Sequence, residues 1–194
     1  MRVPADSRSP VRETSARTRR LLLLLVAIAL APVVLAYLAY YEWPRDARVN
    51  YGELLTGTMP TIAGTGATDG TPFDSATLRG RWIVLFAASG DCAGTCANAL
   101  YASRQARTIQ NAQRERVVRV WLVTDSARPR AALLAEHPDL VAVRTNAPPA
   151  LPRGADAIYL VDPHGNFVLA WPSKPDIKAM AKDLGRLLRA SSIG

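Results

Sequence analysis

Two cysteines, Cys92 and Cys96, are the residues of this 194-residue chain whose type and spacing most directly suggest chemistry. Written out as Cys92-Ala-Gly-Thr-Cys96, they follow an apolar run and open a helix-like stretch. On a helix, positions i and i+4 share a face, so a helix beginning near Cys92 would turn both sulfurs to one side. Two such thiols can close a disulfide across a slightly irregular first turn, or together hold one soft cation such as Cu(I), for which thiolate is a preferred ligand. A helix N-terminus favours the thiolate, whereas the neighbouring Asp91 opposes it. Cys92, nearer the expected helix end, is then the sulfur expected to attack or ligate first, with Cys96 resolving a mixed disulfide. The plainer alternative is an inert pair that only staples a loop.

The elements that must position this pair follow from periodicity. Trp82-Ile-Val-Leu-Phe-Ala87 is a continuous apolar run of strand length, as in a strand buried on both faces. Ser89, Gly90 and Asp91 are helix-start residues, and a weakly amphipathic helix is expected from about Cys92 to Arg114, with Ala97, Leu100, Tyr101, Thr108 and Ile109 inward. Val117 to Thr124 reads as a second buried strand, followed by a short helix near Ala127 to Glu136 and a short strand, Leu140 to Arg144. Beyond a Pro-rich loop, Asn146 to Gly154, the stretches Ala157 to Asp162 and Asn166 to Trp171 pair across Pro163-His164-Gly165 as a hairpin. Asp176 to Ala190 closes the chain as an amphipathic helix with Ile177, Met180, Leu184, Leu187 and Leu188 on one side. Upstream, Asp69-Gly70 is a turn signal between arms near Met59 to Ala63 and Thr71 to Phe73. The order β-α-β-α-β-β-α specifies an α/β chain with a thioredoxin-like fold, a mixed central sheet flanked by helices.

From Leu21 to Tyr41 there are 21 residues without a charge, enough for a helix to cross a bilayer. Pro32 lies mid-span, where a lipid-embedded helix tolerates it, and Tyr37, Tyr40, Tyr41 and Trp43 gather at the far end as interfacial aromatics do. Six arginines precede the span, and cationic flanks stay cytoplasmic. The expected organisation is a basic cytoplasmic tail (1–20), a transmembrane anchor (21–42), a linker (43–56) and a periplasmic domain (57–194) held at a bacterial inner membrane. A signal peptide cleaved near Val34-Leu35-Ala36 is the competing reading, and it also exports the domain. Export matters because an oxidising compartment permits disulfides.

The net charge of +8 does not by itself imply nucleic acid. Half of it belongs to the N-terminal tail, and the densest remaining run, Arg104, Arg107, Arg114, Arg116 and Arg119, lacks interleaved aromatics and is read as a solvated helix face and its exit. No nucleic-acid partner is expected. No phosphate loop, hydrolase triad or zinc pattern competes with the dithiol.

Asp69-Gly-Thr-Pro-Phe73, Leu78-Arg-Gly-Arg-Trp82, Cys92-Ala-Gly-Thr-Cys96, Trp121-Leu-Val-Thr-Asp125 and Ile158-Tyr-Leu-Val-Asp-Pro-His-Gly165 together resemble the Sco/SenC family of cytochrome c oxidase assembly proteins, over about residues 57 to 192. The resemblance implies a thioredoxin-like fold, Cu(I) bound through a C-x-x-x-C pair and one distant His, and a role in maturing the copper centre of oxidase subunit II. It makes Cys92 and Cys96 both the redox dithiol and the possible Cu(I) ligands, with oxidase subunit II or another copper or thiol assembly factor as partner. Two positions depart from the family pattern. Ala93 and Ala97 stand where prolines usually follow each Cys, and the count back from Tyr159 lands on Gly154 where the family's copper-binding His belongs. His164 falls in a hairpin turn and is read as surface decoration. His137 falls at a helix end, where a cation is favourable in its own right. The third ligand is therefore unknown, and a general periplasmic thiol-disulfide oxidoreductase, not tied to the oxidase, is the alternative function.

Overall fold

A computed structural model describes residues 11–42, 50–145, 147–155 and 157–193. The chain divides into two compact units, Met1–Arg48 and Val49–Gly194. The first half of the basic tail, the interfacial Trp43 and the linker as far as residue 49 lie outside the described residues.

In the first unit, α1 (Val11–Glu42) is one helix with Pro32 inside it. Within it, Arg17–Leu38 has a mean hydropathy of 2.9 and no buried residues, so it is long and apolar enough to cross a membrane. Continuous helix satisfies its backbone groups internally, as hydrocarbon requires, apart from the one hydrogen bond that Pro32 cannot donate.

The second unit is built on one mixed sheet. Its strands are β1 (Glu53–Leu54), β2 (Ala63–Gly66), β3 (Pro72–Asp74), β4 (Trp82–Ala88), β5 (Val117–Val123), β6 (Leu140–Arg144), β7 (Ala157–Val161) and β8 (Phe167–Pro172). They lie in the order β1-β8-β7-β4-β5-β6-β2-β3. β4 runs parallel to β5 from Trp82↔Val117 to Ala88↔Val123, β5 runs parallel to β6, and β7 returns antiparallel to β4. All seven residues of β5 and the first six of β4 are buried, as expected of central strands covered on both faces. On one face Trp82, Val84, Phe86 and Trp121 pack with Leu100 of α2 (Thr95–Thr108) and with Met180 and Leu184 of α4 (Ile177–Ala190). On the other, Ile83, Leu85, Val120 and Tyr159 pack with Ile62, Leu78 and Leu151. Asp176 caps α4, its carboxylate accepting from the N–H groups of Lys178 at 2.8 Å and Ala179 at 3.1 Å, a device worth about 1 kcal/mol.

Several local expectations are corrected. The helix after β4 starts at Thr95 and ends at Thr108, not spanning 92–114, and a 3-10 turn, Asn111–Arg116, follows through Asn111 at φ +52°. Its buried face is Ala99, Leu100, Ala102, Ser103 and Ala106, while Tyr101 and Ile109 are exposed. A helix with so few large apolar residues has no dominant stripe, and polar ties choose its rotation. The chief tie is Arg119, which is 1% exposed on β5 and donates to the Leu100 carbonyl at 2.6 Å and to the Ser103 hydroxyl at 3.0 Å. The hairpin before β4 uses Ala63–Gly66 as its first arm, because β2 also pairs with β6 and a side chain at Gly64 would stand 2.3 Å from the Arg144 carbonyl. The helix expected from Ala127 is shorter, α3 (Ala131–Glu136).

The basic run is structural at three of its five members. Arg107 donates to the Val117 carbonyl, Arg116 to the carbonyls of Leu188, Ser191 and Ile193, and Arg119 pairs with Asp139 at 3.1 Å. Burial pushes the Arg119 guanidinium down to about 10, with Asp139 opposing, so it stays charged at neutral pH. Burial pushes the Asp139 carboxyl up, but Arg119 and Arg107 overcome this and hold it below the ordinary carboxylate range. His137 lies beside this group, 3% exposed, its Nδ1 without a hydrogen-bond partner. Burial first, and then Arg119 and Arg104, hold its imidazole below the ordinary 6.5, against the opposing pull of Glu136 and Asp139. The expectation that His137 is favourable as a cation is thereby corrected: it is a buried neutral ring facing two arginines.

A pH dependence follows. Below about 6.5 the unfolded chain takes up a proton at His137 that the folded chain refuses, so this contribution to stability is full above that pH and is lost as pH falls through the folded value. Urea unfolding between pH 7.5 and 5 should show stability falling toward acid, with the fall reduced in His137→Leu. An equal fall in that variant would refute the assignment.

Candidate functional site

Parallel strands end on the same edge of a sheet, and the loops that leave such ends meet there. The loops after β4 and β5 do so here. Between Ala88 and Thr95 the chain makes a short irregular loop in which Gly90 donates to the Asp125 carboxylate at 2.9 Å and Asp91 to the Ser89 hydroxyl at 3.2 Å. Asp125 also accepts from Ala127 N–H at 3.1 Å. Hydrogen bonds from the Ser89 hydroxyl and the Gly90 N–H hold its carboxyl below the ordinary carboxylate range. From the same β5–α3 segment, Arg130 donates to the Cys92 carbonyl at 2.6 Å.

Gly94 then takes φ +53° and ψ −112°, a conformation that essentially only glycine adopts, and this breaks the chain just before α2. Cys92 is consequently in the loop and Cys96 is the second residue of the helix. The two expected site residues are brought together, but not as i and i+4 of one helix. They are joined in a disulfide with Cα atoms 5.2 Å apart. Cys92 is 2% exposed and belongs to the core beneath α2. Cys96 is half-buried, and Ala93, Gly94 and Thr95 between them are exposed.

The histidines stand elsewhere. β7 is antiparallel to β4, with Ile83 opposite Val161, so exposed His164, just beyond β7, lies at the edge where β4 begins, away from the cysteines. His137 precedes β6, whose first residue pairs with Arg119 near the start of β5, again away from the dithiol edge. Gly154 does precede β7 on the dithiol's edge, at φ +65°, its carbonyl accepting from the Tyr159 hydroxyl at 2.8 Å, but it brings no side chain. Among the described residues no cluster of three His, Cys, Asp or Glu could hold a metal ion. The two sulfurs are donors that suit a soft monovalent ion in kind.

Asp125 and Arg130 hold the cysteine loop, and spacing did not reveal either. In the sequence Asp125 ends the stretch Trp121-Leu-Val-Thr-Asp125. Its signal is its place at the end of the strand parallel to β4. Arg130 carries no local sequence signal, because its partner is a backbone carbonyl 38 positions away.

The geometry defines a class: a thioredoxin-fold domain with a braced dithiol at the exit of its central strand. A family model described as "transmembrane-like, thioredoxin-like, C-terminal domain" matches residues 82–191, and the chain belongs to that family. Among solved structures, the chain is similar in fold to copper-bound ScoI of Bradyrhizobium japonicum, at 18% identity over 67% of this chain and 99% of that one with a TM-score of 0.54. Copper-bound ScoI of Arabidopsis thaliana matches at 18% identity, over 70% and 100% of the two chains, with a TM-score of 0.55. BsSco, described with a disulfide switch and as a member of the Sco family of cytochrome c oxidase assembly proteins, matches at 13% identity, over 72% and 98%, with a TM-score of 0.54. A search of curated proteins by sequence gives no match. The recognised likeness to Sco/SenC proteins thus holds as a shared thioredoxin-like fold.

Gly90 sets the loop. A side chain there would meet the Ala127 carbonyl oxygen at 2.0 Å, so Gly90→Ala must push the two loops apart. We expect a loss of about 1–3 kcal/mol, the range for overpacking a tight contact, read by urea denaturation, together with faster reduction of the disulfide by dithiothreitol. Unchanged stability and reduction rate would show that the two loops are not coupled.

Proposed function

We propose that the chain is a membrane-anchored thiol-disulfide exchange protein whose Cys92–Cys96 pair serves the assembly of a cytochrome c oxidase copper centre. The observation that carries this reading is the disulfide at the exit of β4, with Cys96 half-buried and open space around the exposed Gly94. Structural staples gain nothing from such a position, whereas exchange needs an approachable sulfur. In the reduced chain, one thiolate attacks a partner disulfide and expels a partner thiolate. The second then attacks the mixed disulfide, closing Cys92–Cys96 and releasing the other partner thiolate, so two electrons pass to the partner and protons rebalance the thiols. Oxidase subunit II, with paired copper-site cysteines, or another thiol assembly factor, is the partner of matching chemistry.

The oxidase setting draws on the three-residue spacing of the pair and on the fold shared with Sco proteins. The C-x-x-x-C spacing also favours a second reading in which the reduced pair carries Cu(I) as cargo, without a His. The arginines before α1 support an orientation with the N-terminus in the cytoplasm and the dithiol domain in the periplasm at a bacterial inner membrane. General thiol-disulfide oxidoreductase activity, apart from the oxidase, is the form the reading takes if the partner is broader.

Full-length protein in detergent should exchange its disulfide with a thiol probe at a reduction potential above roughly −300 mV, below which structural bridges lie. Cys92→Ser and Cys96→Ser should each abolish the complete cycle. Uptake of one Cu(I) by the reduced chain, lost in either variant, would add the cargo role. A pair that neither exchanges nor binds copper, with normal oxidase maturation in a double Cys→Ser strain, overturns both readings.

A further inference from the structure

We infer that Cys96, and not Cys92, is the sulfur that partners attack and that itself attacks, with Cys92 as the buried resolving sulfur. This rests on the reading of the pair as an exchanging dithiol and assigns its order.

Three independent features of the site separate the two cysteines. The first is access. Cys92 is 2% exposed and packs in the core with Leu100, Trp121 and Phe86, while Cys96 is half-buried at the margin of that cluster. A thiol or disulfide exchange runs in line through the attacked sulfur, so the sulfur that a second protein can reach is the one that forms the mixed disulfide. The second is the helix. Because Gly94 breaks the chain, Cys96 lies in the first turn of the 14-residue α2 and Cys92 lies outside it. The partial positive charge of the helix end therefore favours a thiolate on Cys96. The third is restraint. The Cys92 backbone is fixed by the Arg130 guanidinium on its carbonyl at 2.6 Å, and two residues earlier Gly90 is fixed by Asp125. A sulfur held in this way returns to the same place after its bond opens, as a resolving group must. Arg130 is accordingly a positioning residue.

The approach to Cys96 is also cleared. Ala93, Gly94 and Thr95 are exposed, Ala97 is half-buried, and a side chain added at Gly94 would meet nothing within 4 Å. A partner strand can lie over these small residues without displacing anything. In the reducing direction, Cys96 thiolate forms a bond to one partner sulfur, the partner S–S bond breaks, and the departing partner thiolate takes a proton. Cys92, having lost its proton to solvent, then attacks Cys96 Sγ and expels the second partner thiolate. In the oxidising direction a partner thiolate attacks Cys96 Sγ and Cys92 is the leaving group.

The test uses the full-length chain in detergent, reduced and then exposed to limiting iodoacetamide, with the alkylated cysteine identified by peptide mass spectrometry. Label should appear on Cys96 about tenfold or more faster than on Cys92, as expected where only one thiol is both accessible and at a helix end. The unmutated chain makes this reading independent of any variant's folding. In parallel, Cys92→Ala should trap a mixed disulfide with a disulfide probe such as oxidised glutathione, expelling one glutathione thiolate, and Cys96→Ala should not. Equal labelling, or faster labelling and trapping at Cys92, overturns the order. The broader reading is judged separately, by whether the wild-type disulfide exchanges at all, so an inverted order with active exchange sinks only this inference.

Discussion

The parallel pairing of β4 with β5 is the constraint from which the site follows. Seven consecutive register pairs, Trp82↔Val117 to Ala88↔Val123, make the two strands end together. Both are buried along nearly their whole length, so neither can slip without exposing a row of large apolar side chains and losing several kcal/mol. The loops that leave them have no choice but to meet. Asp125 reaches the Gly90 N–H because Thr124 N–H is already bonded to the Ala88 carbonyl at 3.0 Å, and Arg130 follows five residues later. The cysteine loop is braced by groups that the sheet beneath it places.

A second dependence runs through Arg119. A guanidinium within a strand buried on both faces would be costly unless every donor found an acceptor, and removing a partner from such a pair typically costs about 3–5 kcal/mol. Here Leu100, Ser103 and Asp139 surround it. Two of these belong to α2, the helix that carries Cys96. The charge therefore fixes the rotation and the axial position of that helix over the sheet, work that its alanine-rich inner face could not do by packing alone. Arg107, on the same helix and bonded to the Val117 carbonyl and to Asp139, reinforces the tie.

This explains what was and was not legible in the sequence. The strands Trp82–Ala88, Val117–Val123 and Ala157–Val161 are near-continuous apolar runs, and burial on both faces writes itself directly into such runs. The last helix announces itself through its cap, Asp176, and a clear apolar stripe. The rotation and start of α2 were not legible, because they are set by a buried arginine that resembles a surface one in sequence and by a glycine whose φ is invisible there. Likewise Cys92 and Cys96 are evident as a pair from spacing alone, whereas their unequal burial depends on where the helix begins. Asp183, 2% exposed and accepting from Gly52 N–H and the Trp171 indole, was hidden for a similar reason: its partners come from distant segments.

Both histidines of the chain lie away from the dithiol, and a glycine turn stands at the edge of the sheet beside it. Gly154 occupies the edge of the sheet where the cysteines lie, and the loop that holds it is closed by the Tyr159 hydroxyl, which accepts from Arg153 N–H at 2.8 Å and donates to the Gly154 carbonyl. At φ +65° the turn suits glycine, and it contributes no side chain to the edge on which the sulfurs lie. The scaffold thus gathers the strand exit, the Asp125 and Arg130 brace and the paired sulfurs at one edge of the sheet, while the glycine turn before β7 adds no side chain to them.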